Sequence, residues 1–281
     1  MTGVLGLDYS HYNSDPPIDW TKVNRSWAIG KVTERITADP TWSRNRQQAL
    51  SHGKKLSGYH WAHIDHSPSE SARIFKQVLQ QTSTMFVPWI DIEHNGNPDI
   101  KQPLGPGGFS PTYIYNWLLQ FADAYGDPIG IYTGNWFWKE AVAPAVPAVS
   151  PINNWPLWLS EYPQTINLQE PNYGVIPRGF KQVDLWQYSD KGSIPGIVGN
   201  IDLDITVAST IDQLVQYAQR TDGGNDVTPA QMQQIMNHID HAVDQIRTET
   251  SEGNSIANVM KHLKDLQDDV TDIKAKVDGG N

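Results

Sequence analysis

Two carboxylates stand two residues apart in Pro88-Trp89-Ile90-Asp91-Ile92-Glu93. In an extended strand, side chains at i and i+2 leave the same face, so Asp91 and Glu93 share one. Their apolar neighbours favour the neutral form of a carboxyl, and a second carboxylate raises one of the two further. A protonated carboxyl beside an ionised one is what glycoside cleavage requires, since the acid protonates the leaving oxygen. Acids at a strand end also mark ordinary strand-to-loop transitions, so the pair must be read with its surroundings. Asp8 and Asp202 are the further candidates. Asp204 points to the same side of a strand as Asp202, and periodicity does not separate them. Each of these acids also suits a turn in which it bonds local backbone.

Other residue types offer competing chemistry. Trp61, Trp158 and Trp186 lie near the ends of strand-like runs, where they would give a sugar flat walls, although Trp also fills cores. The histidines in His60-Trp61-Ala62-His63-Ile64-Asp65-His66 resemble the H-x-H-x-D-H pattern of metallo-β-lactamase-like hydrolases. Trp61 stands at the first ligand position, however, and His60 would leave the opposite face of the strand. Zinc needs three or four aimed ligands, so no metal and no other cofactor is expected. The chain also lacks cysteine, a G-x-S-x-G elbow and a phosphate loop.

These groups need a frame to bring them together. Eight short apolar or alternating runs occupy residues 4–8, 28–33, 55–61, 85–93, 129–132, 157–159, 183–187 and 200–205. Most are β-branched or aromatic and bounded by turn formers, as strands are. Helix signals separate the earlier runs. Ser67-Pro68-Ser69-Glu70 combines an N-cap, a first-turn proline and a capping-box glutamate, and Ser110-Pro111 opens a second helix. A third is expected over residues 42–54. From Ile129 onward the spacers are rich in Pro and Gly. Alternating strands and helices predict a parallel sheet, and eight strands predict a closed, irregular barrel. Reactive groups in such barrels gather where strands end.

Composition sets the outer limits. The 281 residues carry 31 acids and 21 bases, a net charge of −10 that disfavours nucleic acid as a partner. No run approaches the ~20 apolar residues of a membrane span, so no membrane insertion is expected. Met1 to Leu7 has no basic residue, so no secretory signal is expected either. All 11 tryptophans precede residue 187 and no aromatic residue follows Tyr217, whereas residues 221–281 hold 11 of the acids and 5 of the bases. Two differently built regions therefore meet near Thr221-Asp222-Gly223-Gly224-Asn225. The boundaries expected are a catalytic region at 1–220, a flexible linker at 221–228 and a helical tail at 229–281.

Seven segments, in order, resemble the lysozymes of glycoside hydrolase family 25, the Chalaropsis-type muramidases. They are Gly6-Leu7-Asp8-Tyr9-Ser10, Lys31-Val32-Thr33-Glu34, Gly58-Tyr59-His60-Trp61, Asp91-Ile92-Glu93, Ile131-Tyr132-Thr133-Gly134, Leu157-Trp158-Leu159-Ser160-Glu161-Tyr162, and Trp186-Gln187-Tyr188 followed by Asp202-Leu203-Asp204. The last element departs from the family pattern, with Asp204 in place of an asparagine. The resemblance implies a (β/α)5(β)3 barrel that cleaves the β-1,4 bond from N-acetylmuramic acid to N-acetylglucosamine in peptidoglycan. It implies Glu93 as proton donor and Asp91 as the group that orients the substrate's acetamido. Asp8 and Asp202 would tune the pair, and Lys31, Tyr59, Trp61, Tyr132, Trp158 and Trp186 would line the groove. A wall-lytic domain without a leader suggests a phage endolysin, made in the host cytoplasm and acting on the bacterial wall after release. A catalytically silent wall-binding barrel is the alternative, against which the intact Asp91/Glu93 pair speaks.

The tail follows a different rule. Ile256, Val259, Leu263, Leu266, Val270, Ile273 and Val277 recur at 3,4 spacing, the seam of a coiled coil. Residues 229–281 are therefore expected to join copies of the chain into a homo-oligomer, which would raise avidity for a polymeric wall.

Overall fold

In the computed structural model, residues 3–93 and 109–220 are described. The chain divides into two units, 1–220 and 221–281, and the described residues belong to the first. The linker at 221–228 and the coiled-coil tail at 229–281 lie outside the described residues.

Eight strands close into a barrel. β1 (Leu5–Tyr9), β2 (Trp27–Glu34), β4 (Lys55–Trp61), β5 (Trp89–Asp91), β6 (Gly130–Gly134), β7 (Leu157–Ser160) and β8 (Leu185–Gly192) run parallel. β9 (Ile201–Thr206) runs antiparallel to both β8 and β1 and closes the ring, while β3 (Thr37–Ala38) is a short hairpin on β2. The expected parallel barrel thus holds for all but its last strand. Helices α1 (Trp42–Ser51), α2 (Pro68–Leu79), α3 (Pro111–Tyr125) and α4 (Asn135–Ala141) cover the outside of the first half, and the connections from β7 to β9 carry none. This is the five-plus-three arrangement.

Local chemistry explains the helix starts. The hydroxyls of Ser67 and Ser110 accept from the backbone N–H groups of Glu70 and Tyr113, and Pro68 and Pro111 follow at the first helical positions. α1 stops short of residue 54 because Gly53 takes φ +69°, a left-handed turn that glycine adopts without strain.

Alternation along the strands makes two cores. Outward residues such as Val32, Ile90 and Ile131 pack against Phe75, Leu79 and Phe121 of the helices. Inward residues Trp27, Ile29, Trp89 and Leu185 fill the barrel floor, and Ile211 and Leu214 of α5 (Ile211–Ala218) join that cluster. Lys55, at the start of β4, pairs with Asp212 on the same helix. Helix α5 therefore plugs the end where the parallel strands begin. Among the described residues, no helix is long and apolar enough to cross a membrane.

If the plug seals the floor, Leu214→Ala should cost about 2–5 kcal/mol, the usual range for a buried leucine truncated to alanine. Denaturant unfolding of the full chain checks this. A loss within about 0.5 kcal/mol, as at surface positions, would show that α5 does not hold the barrel.

Candidate active site

The open end is built by strand alternation. On β5, Trp89 and Asp91 face the interior and Ile90 the helices. Glu93, two residues on, is half-buried at the rim. Asp91 lies in register with Trp61 of β4 and Tyr132 of β6, and Tyr132 with Trp158 of β7. Asp8 sits near the end of β1 and is paired with Asp202 near the start of β9. Because β9 is reversed, its first residues reach the same mouth as the last residues of the parallel strands. Asp204, paired with Gly6, lies one layer deeper.

A bulge on β2 completes the ring. Lys31 pairs with Tyr59 and Thr33 with His60, which leaves Val32 without a counterpart. Such an extra residue re-aims the side chains beyond it. Thr33 consequently faces outward and bonds His60, 2.8 Å from its Nδ1, while Glu34 returns to the mouth. There Glu34 pairs with Lys31, and its Oε1 lies 3.2 Å from Nε2 of His63. The Lys31 ammonium also sits 4.1 Å from the centre of the Trp61 ring, a cation–π contact that fixes both side chains.

Gln187 ties the acids to the aromatics. Its Nε2 donates to Oδ2 of Asp8 at 2.7 Å. Its Oε1 accepts from the hydroxyl of Tyr132 at 2.9 Å and from that of Tyr162. Trp158 donates its indole N–H to Oδ1 of Asp204 at 2.8 Å and packs 4.4 Å from Tyr132, centre to centre.

Crowded, desolvated carboxyls resist ionisation. Burial pushes Glu93 from 4.5 to about 7, with repulsion from Asp202 adding and Lys31 opposing. Burial and then Glu93 raise Asp91, again against Lys31. Asp202 is pushed from 3.8 to about 6 by burial and by Asp190, and burial also raises Asp8, followed by repulsion from Asp202 and Asp204. The charge of Glu93 thus adds to the burial that favours the neutral form of Asp91.

The structure brings Asp8, Lys31, Tyr59, Trp61, Asp91, Glu93, Tyr132 and Asp202 to one mouth. Two tryptophans behave otherwise than expected. Trp158 faces the interior but is only 1% exposed, so it supports Tyr132 and Asp204 from below. Trp186 is a correction: it packs on the outer face with Leu159, Tyr188 and Ile205, fully buried, and cannot line the groove. Its neighbour Gln187 is the inward residue. The aromatic character of Trp186 drew attention to the wrong member of that pair. Glu34 and Tyr162 join the site without having been singled out, although both lie within the quoted motifs, and Asp204, which periodicity did not separate from Asp202, lies one layer below it. His60 is buried between Phe75, Trp117 and Phe121, away from the mouth. Among the described residues no three His, Asp or Glu side chains are placed so that they could hold a metal ion together.

The model of the glycosyl hydrolases family 25 matches residues 7–197. The chain belongs to this family. It is a glycoside hydrolase of the lysozyme kind. The bacterial lysozyme of Streptomyces coelicolor shares its fold with a TM-score of 0.63 at 25% identity, covering 78% of this chain and 98% of that one. Lysozyme M1 of Streptomyces globisporus is 26% identical over 72% of this chain and 67% of its own. An uncharacterized protein of Escherichia coli K12, YegX, is 27% identical over 76% of this chain and 73% of its own. The family match ends at residue 197, before β9, so Asp202 and Asp204 of this family 25 enzyme are supported by the barrel's closure and not by that match.

The raised carboxyls carry a stability consequence. Asp202 at about 6 and Glu93 at about 7 hold protons in the folded state that the unfolded chain releases near 3.8 and 4.5. A folded state that binds more protons loses stability as pH rises. Their contribution is therefore complete at acid pH and is lost from about pH 4 up through pH 7. Thermal melts across that window should show Tm falling as pH rises. A Tm that climbs steadily to neutrality would contradict the arrangement.

Proposed function

We propose that this family 25 enzyme is a peptidoglycan muramidase that cleaves the β-1,4 bond from N-acetylmuramic acid to N-acetylglucosamine, with Glu93 as general acid. The observation that carries the reading is the half-buried Glu93 at the rim, pushed up to about 7 beside Asp91. An acid with such a value is still about half protonated at neutral pH and can give its proton to the leaving oxygen. As the bond from the muramic C1 to that oxygen breaks, the acetamido carbonyl oxygen of the same sugar closes on C1. Asp91 accepts the acetamido N–H and stabilises the positive charge that develops there. Water then attacks C1 and breaks its bond to the acetamido oxygen, which restores the amide, while the Glu93 carboxylate takes the water's proton. Asp8 and Asp202 hold the sugar and bias the pair. Lys31, Tyr59, Trp61 and Tyr132 form the walls, joined by Tyr162, which is 46% exposed. The lysozyme name of the Streptomyces globisporus relative supports this substrate.

Glu93→Gln should lower lysis of purified walls at least ~100-fold, the lower range for loss of a general acid, with circular dichroism unchanged. Asp91→Asn should be nearly as damaging. Near-normal lysis by folded Glu93→Gln protein would reject the assignment, and no lysis by the unaltered chain would favour a silent wall-binding barrel. Mass spectrometry should find muramic acid at the new reducing ends. Reducing-end glucosamine would make the enzyme a glucosaminidase.

The 3,4 seam in residues 256–277 supports self-association of the full chain on the wall. Light scattering should find the full chain oligomeric and residues 1–220 monomeric, and equal subunit numbers would reject that role. The setting we assign is a phage endolysin, for which a holin-like gene should adjoin this one. A chromosomal neighbourhood without phage genes would speak for a bacterial autolysin.

A further inference from the structure

Asp204 takes no part in the steps above, yet it is fully buried at the heart of the site. It lies between β1 and β8, in register with Gly6 and Gln187. Its Oδ1 accepts the Trp158 indole N–H at 2.8 Å. Its Oδ2 meets no N–H donor and no hydroxyl. On the same inward face of β1 and β9, Asp204 is paired with Gly6 and Asp202 with Asp8, so the Asp8 carboxyl neighbours both and bonds toward each. Gln187 already donates to Oδ2 of Asp8.

Two carboxyl groups hydrogen-bond each other only when one of them carries a proton, because an ionised carboxylate has none to donate. An unpartnered buried oxygen is costly, and a proton on it supplies the missing bond. The surrounding charges favour the same solution. Asp202 on the same strand repels both groups. On β8, Tyr188 is acted on by Arg25 as well as by Asp204, and Asp190 bears on Asp202. Tyr59 from β4 and Tyr162 beyond β7 face Asp8 and Asp202 as neutral hydroxyls. Lys31 offsets charge at Asp91 and Glu93, on the other side of the mouth.

We propose that Asp204 is a positioning residue of the muramidase site, which holds Asp8 in place through a proton shared between the two carboxyls. Asp8 is then fixed from two sides, by the Gln187 amide and by the hydrogen bond it shares with the Asp204 carboxyl, and the pair carries one negative charge where two would repel. Burial raises both groups, as a shared proton requires. The role given to Asp8 toward substrate rests on the muramidase reading, whereas the shared proton does not.

The experiment compares full-length protein with Asp204→Asn, whose amide donates permanently, and Asp204→Leu, which has no donor and no acceptor. Proton release on unfolding is measured near pH ~6, by calorimetry in buffers of different ionisation enthalpy. Unfolded carboxyls are ionised there, so the unaltered protein should release about one proton more than Asp204→Asn. Equal release would mean that Asp204 is ionised in the folded state, and the proposal falls whatever the substrate proves to be. On purified walls, Asp204→Leu should lose at least ~10-fold in lysis, as for a buried donor left without its partner. Asparagine should restore most of that loss. Full activity in folded Asp204→Leu, or an Asp204→Asn protein as impaired as the leucine variant, would overturn the positioning role. If the leucine variant does not fold, the proton count and the asparagine variant still decide. Should the unaltered protein fail to lyse walls, the muramidase reading fails while the proton count continues to test the pair.

Discussion

Like charges are forced together at one end of this barrel, and most of its design can be read as a response. Asp8, Asp91, Glu93, Asp202 and Asp204 all approach the mouth from three strands or their ends, and burial raises every one of them. Proteins tolerate such crowding by keeping some of the acids neutral and by satisfying the rest with donors. Here Gln187 serves Asp8, Trp158 serves Asp204, and Lys31 offsets Asp91 and Glu93. What destabilises the native state at higher pH is also what keeps an acid ready to give a proton.

Barrel closure makes the crowding possible. A reversed β9 carries its first acid to the ends of the parallel strands, and a bulge on β2 turns Glu34 toward Lys31. The floor is closed by tryptophan rings and by α5, which leaves a single polar end in the described interior. Trp158 and Tyr132 couple the two halves, since each packs on the other while bonding a polar group that belongs to the acid cluster. Stability and catalysis thus meet at these two rings.

Much of this was legible in the residues. Period-two alternation put Asp91 and Glu93 on one face, capping signals placed the starts of α2 and α3, and seven ordered motifs gave the barrel. The parts that were not legible depend on register between distant strands. Whether Trp186 or Gln187 faces inward is set by pairing of β7 with β8, where Trp158 and Leu185 lie side by side and fix the phase. The bulge at Val32 likewise leaves no signature in composition, and it decides which of Thr33 and Glu34 reaches the mouth. The direction of β9 is invisible to a one-dimensional pattern. Short α4 and the plug α5 were absent from the sequence reading because each is under nine residues, too short for a sustained helical period.

Everything at the mouth turns on Glu93 keeping its proton up into the neutral range. Carbon-13 NMR of side-chain-labelled glutamate reports each carboxyl separately, and assignment of Glu93 follows from its loss in the glutamine variant. The account predicts a Glu93 signal that titrates at about 7, well above the ordinary glutamate value of 4.5. If Glu93 titrates near 4.5, the ordinary glutamate value, the mouth does not poise its acid and the account is wrong.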